Sequence, residues 1–142
     1  MLRYQLLHPE ILAALGTAGH GSRVLIADGN YPFVTGAFPA ARRVFLNLAP
    51  GLVTVTDVLR TLADAMPIEG AHVMMPDSGV EPAIFAEFRG ILGDGHPLQK
   101  YGRFQFYDAA RESDTALVIA TGEQRIYANI LLTIGVVPPP VR

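Results

Sequence analysis

The segment from Gly19 to Pro32 constrains the fold of this chain most strongly. Its centre, Val24-Leu25-Ile26-Ala27, is apolar throughout and carries branched side chains, which is typical of a buried strand. His20 precedes this run and Asp28 follows it. The glycines on both sides allow tight turns, because glycine tolerates positive φ. We therefore predict a buried strand with one ionisable group at each end.

The two ionisable groups have a functional and a structural interpretation. Polar groups at the carboxyl end of a strand in an open α/β sheet are often functional, so His20 and Asp28 are a candidate proton donor and acceptor. In the structural interpretation, His20 interacts with the dipole at a helix C-terminus, and Asp28 opens a turn with Gly29. The segment alone does not separate these interpretations.

Further apolar runs alternate with segments that have helical features. Strands are predicted at 43–47, 71–75, 115–120 and 129–134, and helices from residue 8, from the capping box at 54–57, over 81–92 and over 103–113. A glycine- and proline-rich loop at 28–41 separates the first two strands, and loops of this length are usually functional. The alternation predicts a single α/β domain over residues 1–142 with a largely parallel sheet.

The composition is apolar for a chain of 142 residues, with 50% hydrophobic and only 17% charged residues. One small core does not readily bury this surplus, which predicts a subunit interface. No apolar stretch approaches the roughly 20 residues of a membrane-spanning helix. The net charge is -2 without a basic cluster, which argues against nucleic-acid binding. The absence of cysteine and of a signal-peptide pattern fits a cytoplasmic location.

No strong motif for phosphate binding, metal binding or covalent catalysis is present. The glycines at 16–21 and 90–95 have the spacing G-x-x-G-x-G, which is the reverse of the dinucleotide-binding pattern G-x-G-x-x-G, and they lack its strand–turn–helix context. Ser22 and Ser78 lack the nucleophile-elbow pattern. His72 falls inside a predicted buried strand and is interpreted as a hydrogen-bonded core histidine. No pair of the possible metal ligands has the helical i, i+4 spacing of a zinc motif; these ligands are His20, Asp28, His72, Asp77 and His96.

Proton transfer and polar ligand binding remain as candidate chemistry. Histidine has an unperturbed pKa near neutrality, and tyrosine, asparagine and arginine form directional hydrogen bonds that suit hydroxyl-rich ligands. The candidates are His20, Asp28, Arg103, Tyr127 and Asn129. Three of them also have ordinary structural interpretations: Tyr127 as a half-buried aromatic ring, Asn129 as a strand-end amide and Arg103 as a solvated charge at a helix start.

Five segments, taken in order, resemble the ribose pyranase / fucose mutarotase family over nearly the whole chain. Each motif is weak alone, but their order and spacing are specific. The segments are Gly19-His20-Gly21, Ala27-Asp28-Gly29-Asn30-Tyr31-Pro32, Arg103-Phe104-Gln105-Phe106-Tyr107, Thr121-Gly122-Glu123 and Tyr127-Ala128-Asn129-Ile130-Leu131-Leu132.

The resemblance implies that the protein interconverts anomers or ring forms of a free monosaccharide. His20 matches the family's catalytic histidine, and Asp28 matches its acidic partner. The sugar contacts of the family match Asp28, Arg103, Tyr127, Ala128 and Asn129. Arg103 is similar to the fucose branch, whereas Ala128 is typical of the ribose branch. L-fucose is therefore the first expected sugar and D-ribose the second.

The resemblance also implies a three-layer α/β/α fold with a mixed sheet and a homo-oligomeric ring, often a decamer, with sites close to subunit boundaries. No cofactor is implied, because anomer exchange requires neither metal, nucleotide nor covalent intermediate. Two other function classes stay open: a non-catalytic sugar-binding accessory of an uptake system and a metal-dependent hydrolase.

Overall fold

The fold is built on one six-stranded sheet, described here from a computed structural model of residues 1–142. The strands are β1 (Arg23–Ala27), β2 (Arg42–Phe45), β3 (Ile68–Met74), β4 (Leu98–Tyr101), β5 (Thr115–Ala120) and β6 (Ile130–Ile134). The helices are α1 (Pro9–Thr17), α2 (Val55–Ala65), α3 (Ile84–Leu92) and α4 (Arg103–Ala110). None of these helices has the length and apolar character needed to cross a membrane.

Strand β6 is the one strand that runs against its neighbours. The sheet order is β2-β5-β1-β6-β3-β4, with β6 antiparallel to β1 and β3 and all other pairs parallel. The carboxyl ends of the parallel strands therefore share one edge with the amino end of β6. That edge brings Asp28, which follows β1, next to Asn129, which precedes β6.

The five predicted strands are confirmed, and the sheet contains one strand more. β3 begins at Ile68, three residues before the predicted start at residue 71. The sequence does not predict β4, because Gln99 and Lys100 are polar and exposed and no apolar run marks the strand. Polar side chains suit this position, since β4 is an edge strand with one free side.

The predicted helices are also confirmed, although α3 begins at Ile84, three residues after its predicted start, and α4 ends at Ala110, three residues before its predicted end. Thr54 and Asp57 form the predicted capping box at the start of α2: the Thr54 hydroxyl accepts from the Asp57 N–H at 3.2 Å, and the Asp57 carboxylate accepts from the Thr54 N–H at 3.3 Å. The segment from Arg103, in which aromatic residues alternate as in a strand, forms α4 instead, as predicted.

Apolar side chains form a core on each face of the sheet, which makes the three-layer arrangement. On one face, α1, α2 and α3 pack through 22 buried residues that include Leu59, Leu62 and Phe85. On the other face, a core of 11 buried residues joins Phe106 of α4 to Tyr31 of the 28–41 loop. An irregular loop therefore completes the layer that the single helix α4 leaves open.

Arg43 holds this loop in place. Its guanidinium donates hydrogen bonds of 2.8 to 3.4 Å to the backbone carbonyls of six loop residues: Phe33, Val34, Ala37, Phe38, Pro39 and Ala41. Irregular backbone that packs against a core needs such partners, because it lacks the hydrogen bonds of a helix or sheet. One side chain from β2 thus fixes most of the covering loop.

Candidate active site

Asp28 directly follows β1 in a nearly buried position, with 3% of its surface exposed. Its carboxylate accepts hydrogen bonds from the Asn30 N–H (3.0 Å), the Ala128 N–H (3.2 Å) and the Asn129 side-chain amide (3.2 Å). The Asn129 Oδ1 in turn accepts from the Asp28 N–H at 2.7 Å. This two-way pair joins the end of β1 to the start of β6.

The environment of Asp28 shifts its protonation equilibrium. Burial raises the pKa of Asp28 above its ordinary value, although the hydrogen bonds from Asn30, Ala128 and Asn129 act in the opposite direction. A carboxyl group with a raised pKa is closer to the condition of a general acid or base at neutral pH. Asp28 is therefore suited to proton transfer as well as to accepting a ligand hydroxyl.

The connection between β5 and β6 carries Tyr127 in an uncommon conformation. Its φ is 57°, in the left-handed region that non-glycine residues seldom adopt. Such backbone conformations cost on the order of 1 kcal/mol and persist where the surroundings fix them. Here Glu123 helps to fix the connection, because its carboxylate accepts from the Val55 N–H at 3.2 Å and from the Arg125 Nε at 2.9 Å.

Arg103 and Tyr107 lie one turn apart on the same face of α4. The guanidinium carbon of Arg103 is 5.7 Å from the centre of the Tyr107 ring and 5.5 Å from that of Phe104, which are cation–π distances. The Tyr107 side chain also raises the pKa of Arg103. Arg103 therefore offers a permanent cation whose position is set by two aromatic rings.

Asp28, Arg103, Tyr127 and Asn129 line one open cavity of about 300 Å³, which we call the Asp28 cavity. Ala128, the fifth predicted sugar contact, does not line the cavity: it is fully buried and contributes its backbone N–H to the Asp28 carboxylate. A cavity of this volume is at the lower end of the range for small-molecule sites. It presents a carboxylate, a cation, a phenol and an amide to a small polar ligand.

Five more residues line this cavity and were not among the predicted site residues. Four of them had a signal in the sequence. Asn30 and Tyr31 lie in one of the segments that resemble the family. Tyr107 follows Arg103 at helical i+4 spacing, and Met74 ends β3 at the carboxyl edge of the sheet. Ile126 had none, because an exposed aliphatic residue in a connection carries no pattern. The five residues are Asn30, Tyr31, Met74, Tyr107 and Ile126.

His20 lies at the other end of β1, outside the Asp28 cavity. Its Nε2 is 2.9 Å from the Glu69 Oε2, and its side chain is 59% exposed. The five residues of β1 lie between it and Asp28, which is about 16 Å of extended strand. Within one chain, the structure therefore does not bring His20 together with the other predicted site residues.

No group of three or more His, Asp or Glu side chains is arranged to hold a metal ion. His72, one of the possible ligands, is buried in the sheet and stacks on Tyr101 with 4.7 Å between ring centres. Burial lowers the pKa of His72, which favours the neutral imidazole. These observations fit the interpretation of His72 as a core residue, but its buried Nδ1 has no hydrogen-bond partner, unlike the hydrogen-bonded histidine that was predicted.

Comparison with known proteins identifies relatives along nearly the whole chain. The model of the RbsD / FucU transport protein family matches residues 1–137. Fucose mutarotase from Homo sapiens is 30% identical over 145 residues, which cover 92% of this chain and 90% of the relative. D-ribose pyranase from Variovorax paradoxus is 32% identical over 138 residues, with 96% of this chain and 98% of the relative covered.

Solved structures share the fold. A crystal structure of the fucose mutarotase from Streptococcus pneumoniae in complex with L-fucose matches with a TM-score of 0.79 and 26% identity, over 97% of this chain and 100% of the other. Bacillus subtilis RbsD complexed with D-ribose matches with a TM-score of 0.81 and 26% identity over the same shares. Because the family model spans residues 1–137 and relatives aligned over at least 90% of both sequences reach 30% identity or more, this chain belongs to the RbsD / FucU family.

Proposed function

We propose that this protein is a monosaccharide mutarotase that interconverts the anomers of L-fucose or a related free sugar, with D-ribose as the second choice. The observation that carries the proposal is the two-way Asp28–Asn129 pair in a cavity that Arg103 and Tyr127 also line. Relatives named fucose mutarotase and D-ribose pyranase, which align over almost the whole chain, support it.

Anomer exchange requires two proton movements and no change in oxidation state. One group removes the proton of the anomeric hydroxyl while another protonates the ring oxygen, and the bond between the anomeric carbon and the ring oxygen breaks. The open-chain aldehyde rotates, and ring closure reverses the two proton transfers. Positioned acid–base groups accelerate such steps by about 10² to 10⁴. This corresponds to roughly 3 to 5 kcal/mol of barrier.

The proposed roles follow from the chemistry of each side chain. His20 is the main acid and base, and Asp28 is its carboxylate partner or the acceptor of a sugar hydroxyl. Arg103, Tyr127 and Asn129 donate and accept the hydrogen bonds that orient the ring hydroxyls. The Ala128 N–H holds the Asp28 carboxylate in position.

In this proposal, His20 reaches the sugar from a second copy of the chain. Exposed apolar side chains lie at the Asp28 cavity: Ile126 (66% exposed) lines it, and Phe104 (73% exposed) packs on Arg103, which also lines it. A contact between copies buries such groups and lets the exposed His20 of one copy cover the cavity of the next. A head-to-tail contact of this kind forms a ring where the rotation from one copy to the next closes on itself. The decameric ring and the cytoplasmic location remain predictions.

The test uses a freshly dissolved pure anomer of L-fucose, followed by optical rotation, and D-ribose at equilibrium, followed by saturation-transfer NMR. We expect both methods to show exchange above the buffer rate and in proportion to protein concentration. No acceleration with either sugar would overturn the proposal. Binding of both anomers without exchange would instead indicate a non-catalytic sugar-binding accessory, and loss of an activity on chelation would indicate a metal-dependent enzyme.

A further inference from the structure

A second cavity opens at the same edge of the sheet, next to the Asp28 cavity. Asp28 lines the first cavity and Gly29 the second, whereas Asn30 lines both. The second cavity has a volume of about 420 Å³. Its lining comes from the segments that follow β1, β2 and β5, which is the edge where ligands bind in parallel α/β sheets. We call it the Asn47 cavity.

Three uncommitted carboxamides converge on the Asn47 cavity. Asn30, Asn47 and Gln124 follow three different strands, and all three are exposed. Asn30 donates its backbone N–H to Asp28, but none of the three side-chain amides forms a hydrogen bond within the chain. Each amide therefore keeps two N–H donors and one oxygen acceptor for a ligand.

The cavity offers carboxamides but no free charge. Its single ionisable lining residue, Glu123, is only 4% exposed. The Glu123 carboxylate is already bonded to the Val55 N–H at 3.2 Å and to the Arg125 guanidinium at 2.9 Å. A charged ligand would find no counterion here. Hydroxyl groups match this lining, because a hydroxyl both donates and accepts, as a carboxamide does.

We propose that the Asn47 cavity binds the second ring of a reducing disaccharide whose reducing ring occupies the Asp28 cavity. This inference rests on the proposed mutarotase function and extends its substrates to sugars that carry a second neutral ring. The shared residue Asn30 lies at the linkage between the rings. The glycosidic bond stays intact, because only the anomeric hydroxyl and the ring oxygen of the reducing ring exchange protons.

The experiment compares L-fucose and D-ribose with the disaccharides that carry β-D-glucose on O2, O3 or O4 of each sugar. Saturation-transfer NMR reports the anomer exchange of the reducing ring. We expect accelerated exchange of at least one disaccharide, and a loss of about tenfold of that acceleration in the Asn47→Ala/Gln124→Ala double variant, as for two lost hydrogen bonds. Exchange of the parent monosaccharide should not change. Gln99→Ala removes an exposed carboxamide on β4 and is the matched control.

The outcomes separate this inference from the function on which it rests. Exchange of monosaccharides but of no disaccharide would overturn the inference and leave the mutarotase proposal in place. Disaccharide exchange that the double variant does not alter would also overturn it. Two monosaccharides bound per chain in calorimetry, without disaccharide exchange, would assign the cavity to a separate sugar and overturn the bridged ligand.

A failure of the proposed function is recognised by the absence of exchange with every sugar. Calorimetry then tests the cavity by itself. Disaccharide binding that weakens in the Asn47→Ala/Gln124→Ala variant but not in Gln99→Ala would support a two-ring site. The absence of disaccharide binding would overturn it.

Discussion

The two ends of β1 differ in burial and in the number of contacts that fix their ionisable groups. At the carboxyl end, Asp28 is 3% exposed and its carboxylate accepts three hydrogen bonds. At the amino end, the His20 side chain is 59% exposed, and its hydrogen bonds are to Glu69 alone. One end is thus fixed inside the chain, whereas the other is presented to whatever lies outside.

This difference indicates that the two ends of β1 have different roles in the proposed site. Binding a small ligand in one orientation requires side chains whose own positions are fixed by buried contacts, and the Asp28 end provides them. A catalytic group that comes from another copy must instead stand at the surface. Both kinds of residue flank the same strand, so in the proposed assembly each copy gives its imidazole to one neighbour and its cavity to another.

The largest expected effect is a loss of activity in variants at either end of β1. Measuring stability as well distinguishes the two ends. Asp28→Ala and His20→Ala should each reduce anomer exchange by about 10² to 10⁴. Only Asp28→Ala should also lower the free energy of unfolding, by roughly 2 kcal/mol, because three N–H donors lose their acceptor. Saturation-transfer NMR and urea unfolding provide the two measurements.

Matched controls for these variants are Asp64→Ala and His96→Ala, which remove the same residue types outside the Asp28 cavity. Both should retain full exchange. Full activity of His20→Ala would contradict its catalytic role and the proposed division between the ends of β1.

Mixing the two inactive variants tests whether the ends of β1 meet across copies. If His20→Ala and Asp28→Ala subunits are unfolded, mixed in equal amounts and refolded, some sites pair an intact His20 with an intact Asp28. Random assembly should restore about a quarter of the wild-type exchange rate, since each intact partner is present half the time. No recovery in a mixture that has formed mixed oligomers would show that His20 does not serve another copy's cavity.

Replacing Arg43 should affect the carboxyl end of β1, where the Asp28 cavity lies, and should not affect the amino end, where His20 lies. Arg43→Met removes the donors to six loop carbonyls and should lower the free energy of unfolding by about 3 kcal/mol. The same loop carries Tyr31, which lines the Asp28 cavity and whose hydroxyl donates to the Gly36 carbonyl at 2.6 Å. Because the variant loosens this loop, the affinity of the cavity for sugar should fall as well.

Arg42→Met is the neighbouring control, because Arg42 makes a single 3.4 Å hydrogen bond to the Glu10 carbonyl. Urea unfolding and amide hydrogen exchange over residues 33–41 measure the effect. Equal behaviour of the Arg43 and Arg42 variants would refute the role of Arg43 in holding the loop.

The pH dependence of stability provides a smaller and more specific test of the buried end. Because the folded-state pKa of Asp28 is raised, its contribution to stability is fully present below its ordinary pKa of 3.8 and is lost as pH rises through the folded-state pKa. The difference in unfolding free energy between the wild type and Asp28→Ala should therefore shrink as pH rises from 3.8 through the folded-state pKa, and then level off. A difference that grows with pH there would contradict the burial effect.

The smallest expected effect belongs to the exposed pair at the other end. Glu69→Gln removes the charge partner of His20 and should change the free energy of unfolding by less than about 0.5 kcal/mol, because both side chains are hydrated. Urea unfolding at low and high salt measures the change. A loss of about 2 kcal/mol would show that the two ends are equally constrained.

The sequence predicted most of the secondary structure because the signals are local. The apolar run before Asp28 and the Thr54–Asp57 capping box each identify an element without reference to the rest of the chain. The edge strand β4 lacks such a signal, since its pairing with β3 requires only backbone groups and leaves Gln99 and Lys100 in solvent. Family resemblance identified Arg103, Tyr127 and Asn129, which share the Asp28 cavity, but it did not identify Met74 or Tyr107.

The amino-acid sequence by itself determined the alternation of strands and helices and the residue types at the ends of β1. Short-range sterics, capping and the periodicity of buried side chains encode these features. Only the tertiary structure decided that β6 inserts antiparallel between β1 and β3, which joins Asp28 to Asn129 across 101 positions. It also decided that His20 faces away from that pair, because strand pairing depends on contacts between segments far apart in the chain, which no local pattern specifies.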